Sequence, residues 1–386
     1  MHLSEILNHL GEDRKNYYNA ICPPIIQSSN FSFDTIEAFR AAFRDEFANT
    51  IYTRGANPTV NILRKKLAAL EGSEDALVFG SGVAAIAAAV IGNVKSGDHI
   101  ICVQEPYGWT YKLLTRFLDR FNVSHTFVDG TSMSDIENAV QPSTTVLYLE
   151  SPNSATFVLQ DLAACAALCK KKNLISIIDN SYCSPIFQKP ISFGIDIVVH
   201  SGTKYLNGHS DVVVGVLAGT TAMVRKIFAS EYMTIGAIIS PNDASLVTRG
   251  LRTLELRMKQ SDESARKVID FLDGHPKIAS IHYPFHKSFP QYELAKKQMS
   301  GCGGLFSVMV NTDDIKKVEA FFHRLKRFLL AVSWGGHESL VLPFAAFHEE
   351  GADPTHLKPW QLVRFYIGLE DPDWLIEDLR EALEEL

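Results

Sequence analysis

Asp196-Ile197-Val198-Val199-His200-Ser201-Gly202-Thr203-Lys204-Tyr205-Leu206-Asn207-Gly208-His209-Ser210-Asp211 is the stretch that decides how this chain is read. Together with Ile195, its opening is a β-branched apolar run, which predicts a buried strand over 195–199. The run then gives way to Ser201-Gly202-Thr203-Lys204-Tyr205. A lysine flanked by hydroxyls where a buried strand ends can bind phosphate or form a Schiff base. Which of the two depends on what the rest of the chain brings to it.

Working outward, the same apolar pattern recurs at 76–79, 99–103, 124–128, 145–149 and 174–178, and helices are predicted at 60–70, 84–90, 110–121, 133–140 and 162–171. Strands of this kind alternating with helices predict an α/β fold with a mostly parallel sheet covered on both faces. Ligands of such sheets sit beyond the carboxyl ends of the strands. The residues at those ends are Gln104-Glu105-Pro106-Tyr107, Glu150-Ser151-Pro152-Asn153-Ser154, Asp179-Asn180-Ser181 and His200 to Lys204. They bring a lysine, an aromatic ring, several hydroxyls and, in Asp179, one well-placed acid to one edge. Gly80-Ser81-Gly82-Val83 joins strand 76–79 to an Ala-rich helix, an arrangement that aims backbone N–H groups at an anion. Its spacing is not G-x-G-x-x-G, so a phosphate is expected there rather than a dinucleotide.

A chain of 386 residues predicts two domains sharing one body. Residues 1–56 read as an N-terminal arm, with prolines keeping Cys22 to Phe31 extended, a helix over 35–47, and Tyr52-Thr53-Arg54, which by itself is equally a packed Tyr beside an exposed Arg. Residues 57–245 form the large domain. Residues 246–386 form a smaller α+β domain, entered by one long helix over 244–271. That domain has strands at 304–310, 329–332 and 362–367 and helices at 315–325 and 373–386. At 46% hydrophobic and 21% charged, the composition is that of a globular protein, and a net charge of −7 argues against nucleic acid or an anionic membrane as partner. The six cysteines, Cys22, Cys102, Cys165, Cys169, Cys183 and Cys302, include no C-x-x-C pair, so no metal site is expected. With no leader pattern and no long apolar run, a cytoplasmic location and no membrane contact are expected.

Taken together, these stretches resemble the cysteine/methionine-metabolism family of pyridoxal-5′-phosphate (PLP) enzymes, the cystathionine β-lyases, γ-lyases and γ-synthases and the methionine γ-lyases. The resemblance runs from Pro23 to Glu370 and is carried by 196–211, Tyr52 to Thr59, Arg249-Gly250-Leu251-Arg252-Thr253-Leu254 and Arg364-Phe365-Tyr366-Ile367-Gly368-Leu369-Glu370. It implies the PLP-dependent transferase fold type I. Lys204 would hold the cofactor aldehyde and move protons, and Asp179 would keep the pyridine nitrogen protonated. Tyr107 would stack on the ring and assist proton transfer. Gly82, Val83, Ser201 and Thr203 would hold the phosphate. Tyr52 and Arg54 would reach it from a neighbouring subunit, implying a homodimer at least and a homotetramer by family habit. Arg364 would fork onto the substrate carboxylate, with Ser154 and Ser333 beside it.

Within the family, Ser154 and Ser333-Trp334-Gly335-Gly336 are β-lyase-like, because γ-enzymes more often carry Leu at the Trp334 position. Val332 stands where cystathionine γ-enzymes tend to have Glu, though methionine γ-lyases can have Val. Trp109, two residues after Tyr107, fits no branch. The resemblance therefore implies a carbon–sulfur lyase of the cystathionine β-lyase kind, releasing thiol, pyruvate and ammonia. A γ-elimination or replacement enzyme is the alternative. A PLP-binding regulator without turnover is a minor one, disfavoured because no basic segment is left to bind DNA.

Overall fold

The structure is a computed structural model that describes residues 1–348 and 358–386. Among the described residues the strands form two sheets. The first contains β1 (Asp75–Phe79), β2 (His99–Val103), β3 (Ser124–Val128), β4 (Thr144–Glu150), β5 (Ile175–Asp179), β6 (Ile197–Ser201) and β7 (Gly215–Gly219), in the order β1-β7-β6-β5-β4-β2-β3. Strands β3, β2, β4, β5 and β6 run parallel, and only β7 is antiparallel to its neighbours β6 and β1. This is the expected mostly parallel α/β sheet.

Alternation along each strand sends its residues to opposite faces. Ile100, Cys102, Val146, Tyr148, Ile177, Ile197 and Val199 pack with Ala85, Ile86 and Ala89 of the helix Gly82–Ile91. Ile101, Val103, Leu147, Leu149, Ile178 and Val198 pack with Leu162, Cys165 and Cys169 of the helix Leu162–Lys172. Both faces are dry, which is why these strands read as continuous apolar runs. The two closely spaced cysteines belong to this packing, and all six are free thiols.

The second sheet contains β8 (Ile278–His282), β9 (Leu305–Val310), β10 (Leu329–Leu330), β11 (Leu340–Pro343) and β12 (Leu362–Tyr366), in the order β10-β11-β12-β9-β8. Strands β7, β8 and β11 escape the sequence reading. The Gly-Val-Leu-Ala-Gly of β7 has little β propensity, and it forms because every one of its residues is buried between β1 and β6. The strand expected over 329–332 shrinks to the two exposed residues of β10.

The long helix expected over 244–271 is two helices, Pro241–Leu251 and Leu254–Leu272. The break has a physical cause. Arg257 donates from Nη2 to Gly250 O at 2.9 Å and from Nη1 to Tyr205 O at 2.8 Å, and from Nε to Thr253 Oγ1 at 3.0 Å. A Cβ on Gly250 would lie 2.2 Å from Asn207 O, so the helix end touches the loop after Lys204. The Tyr205 hydroxyl accepts the Gly304 amide at 3.0 Å just before β9. The Lys204 loop is thus held both from the helix junction and from the approach to β9.

Candidate active site

The cradle begins at Ser81, which caps the helix Gly82–Ile91 by accepting Ala84 N–H at 3.1 Å. The first-turn amides of Gly82 and Val83 lie at the positive end of that helix, where intrahelical acceptors are lacking. Gly82 is dictated by proximity, since a Cβ there would lie 2.8 Å from Ser201 Cβ. Gly82, Val83, Tyr107, Ser154, Asp179, Ser201, Thr203 and Lys204 border one cavity of about 200 Å³, with Glu150, Ser181 and Trp334 beside them.

Asp179 ends β5 and is almost wholly buried. Its Oδ1 accepts the Ser181 amide at 2.9 Å and the Ser181 hydroxyl at 2.5 Å. The Ser181 hydroxyl also accepts Ser201 N–H at 2.6 Å, so Asp179 is tied through Ser181 to β6. Burial raises the Asp179 carboxyl above its ordinary range, and the Ser181 bonds, His200 and Lys204 pull it only part of the way back. Behind it the His200 imidazole Nε2 pairs with the Glu71 carboxylate, which Asn180 also contacts at 3.4 Å.

Lys204 Nζ donates to Ser333 Oγ at 2.6 Å and lies 4.5 Å from the centre of the Trp334 ring. Burial, helped by the charge of Arg364 and opposed by Asp179, brings its amine down to about 8. Ser333 holds φ at 99°, a conformation costly for a residue with a side chain. Arg364, on β12, is 8% exposed, and burial lowers it to about 10. Its Nη1 donates to Ser154 O at 2.9 Å, and its guanidinium lies 5.2 Å from the Trp334 ring centre. The Trp334 indole N–H is buried and makes no hydrogen bond among the described residues.

The Tyr107 ring is partly open, and burial followed by the charges of Asp179 and Glu150 raises its hydroxyl, keeping it a phenol at neutral pH. Tyr52 and Arg54, expected to reach the phosphate of a neighbouring subunit, do not border the cavity of their own chain; the Arg54 guanidinium sits 5.2 Å from the Tyr52 ring centre, and both side chains are exposed. The Thr203 hydroxyl is engaged, donating to Val214 O at 3.3 Å and accepting Val214 N–H at 2.9 Å, because Thr203 ties its turn to the residue just before β7. Asp179 is not the only acid, because Glu150 ends the adjacent strand and lines the same cavity. The strand-end rule that points to Asp179 points equally to Glu150. Trp109 and Val332 are exposed and do not border the cavity.

A site that brings backbone amides, a buried carboxylate and a dry amine to one cavity has the donor set that PLP needs for its phosphate, pyridine nitrogen and aldehyde. The family model for Cys/Met metabolism PLP-dependent enzymes matches residues 5–384. The chain belongs to that family. PLP is therefore its cofactor, and it is a PLP-dependent enzyme. Among its relatives, the L-methionine gamma-lyase of Treponema denticola is 37% identical over 379 residues, spanning 96% of this chain and 94% of that protein. The cystathionine gamma-lyase of Bacillus subtilis is 37% identical over 339 residues, spanning 87% and 89%. The crystal structure of metB from Corynebacterium glutamicum superposes with a TM-score of 0.93 at 34% identity, covering 100% of this chain and 98% of that one. The fold is thus PLP-dependent type I. The relatives carry γ-lyase names, so the γ alternative is better supported than the β-lyase expectation. No helix among the described residues is long and apolar enough to cross a membrane.

Proposed function

We propose that this chain eliminates a thiol from a sulfur amino acid by γ-elimination, with methionine-like or cystathionine-like thioethers as substrates. The observation that carries this reading is the Lys204 amine, desolvated, held by Ser333 at 2.6 Å and lowered to about 8. At neutral pH about a tenth of such an amine is free base, enough to take protons from carbon. Bound PLP would supply the electron sink that makes the Cα proton acidic. Asp179 would hold the proton on the pyridine nitrogen, and Gly82, Val83 and Ser201 would hold the phosphate. Thr203 would have to loosen its bond to Val214 to join them.

Arg364 would fix the substrate carboxylate bidentately, with Ser154 orienting its guanidinium. That places the Cα–H bond toward Lys204, which would take the Cα proton, give that proton up again, and as a restored free amine take one from Cβ, the second removal that distinguishes γ from β chemistry. Tyr107, being a phenol, would give a proton to the departing sulfur. The relatives' names support the γ reading. A second reading, β-elimination, is favoured by Trp334, whose ring narrows the space above Lys204. The keto acids formed from methionine and from cystathionine, assayed side by side, separate them. The proposal expects 2-oxobutyrate; pyruvate from cystathionine, with methionine inert, refutes it in favour of the second reading.

A further inference from the structure

Two carboxylates end adjacent strands at the floor of this cavity. Glu150 of β4 and Asp179 of β5 are register partners in a parallel pair, so their side chains leave the sheet on the same face. Both border the cavity, at 5% and 7% exposure. Two negative charges so placed in a dry site cannot both persist; one carboxyl keeps its proton.

Their partners decide which. Asp179 receives two hydrogen bonds from Ser181 and the positive influence of His200 and Lys204. Glu150 Oε2 accepts the backbone amide of Tyr107 at 2.7 Å. Of the groups acting on it, Asp179 opposes its charge and Lys358 favours it. Tyr107, Tyr148 and Cys102, the other titratable groups around it among the described residues, are all raised and therefore neutral. Lys358 is itself committed to Glu105, at 2.6 Å.

We propose that Glu150 is the protonated member of the pair at neutral pH, a positioning residue whose neutral carboxyl fixes the Tyr107 backbone without setting a second anion beside Asp179. Tyr107 is also the residue that precedes the helix Gly108–Lys112, so holding its amide sets where the ring projects over the cavity. A neutral carboxyl still accepts the amide through its carbonyl oxygen. Burial and the charge of Asp179 push Glu150 up to about 8, in the direction the geometry requires. The negative charge that a protonated pyridine nitrogen attracts then resides on Asp179 alone.

The inference rests on the proposed use of Asp179 as that anion. Its test reads a proton rather than a product, so its failure is distinct from failure of the reaction assigned above. Infrared difference spectra of the full-length protein, with and without added PLP, are recorded as pH is raised. The expected result is a protonated-carboxyl C=O band at pH 7 that disappears as pH passes about 8 and is missing from Glu150→Gln. Absence of the band from the unmodified protein overturns the proposal without any variant, as does a band that survives in Glu150→Gln and vanishes in Asp179→Asn. Glu150→Gln, which mimics the neutral acid, is also expected to keep about tenfold more turnover than Glu150→Ala, which frees the Tyr107 amide. Equal losses in the two variants would mean that Glu150 acts as an anion.

Discussion

Lys204 illustrates how burial turns an ordinary side chain into a reagent. Desolvation is the largest influence, Arg364 adds to it, and Asp179 works against it, leaving the amine at about 8 instead of the ordinary 10.5. The sign is that of a depressed base. Folding disfavours the ammonium, so the stability associated with this group is full above about 10.5 and is lost as pH falls through about 8. A kinetic consequence follows for the protein stripped of PLP. Its rate of re-forming the cofactor linkage is expected to rise with pH and level off above about 8. A rate still climbing toward 10.5 would mean that Lys204 is solvated. At the neighbouring position, Ser333 accepts a strained φ of 99° in return for a hydroxyl 2.6 Å from that amine. Neither property is legible in Ser-Gly-Thr-Lys-Tyr itself, because Arg364 and Ser333 are brought to it from the second sheet.

At the scale of elements, the site is a row of strand ends. Strands β4, β5 and β6 deliver Glu150, Asp179 and Ser201, while one helix N-terminus delivers Gly82 and Val83. The helix junction at 250–254 holds the loop that follows Lys204. Gly250→Ala is expected to destabilise the protein by about 1–3 kcal/mol, since its Cβ would sit 2.2 Å from Asn207 O and something must move. Thermal denaturation measures this, and an unchanged midpoint would show that the close approach is relaxed in solution. Most of these elements are legible in the sequence because both faces of the sheet are covered, leaving apolar runs with polar ends. The Gly/Ala-rich β7 and the break at Arg252-Thr253 are not legible. The first depends on burial between distant strands, the second on a buried arginine reaching Gly250 and Tyr205.

At the scale of the whole molecule, the first residues pack onto their own chain. Lys66 Nζ donates to the Ile6 and Leu7 carbonyls, at 3.1 and 3.2 Å, and pairs with Glu12 at 3.1 Å. The following segment is different. Ile36, Phe39, Phe43 and Tyr52 are exposed along it, and Arg54 lies outside the cavity of its own chain. We propose that this segment packs on a second copy and that Tyr52 and Arg54 complete that copy's phosphate site. Mixing inactive Arg54→Ala with inactive Lys204→Ala tests the arrangement, because some mixed dimers would hold one intact site. Recovery of roughly a quarter of the normal activity is expected for random pairing into dimers. No recovery, with subunit exchange demonstrated, would place Arg54 at its own chain's site. The sequence resemblance implies this sharing. The chemistry converges on one amine, that of Lys204. The most direct measurement is the visible absorbance of bound PLP, together with turnover, in purified Lys204→Ala after dialysis against the cofactor. The account predicts loss of the linked-cofactor absorbance and a fall in turnover of about 10³-fold or more, whereas retention of both would contradict it.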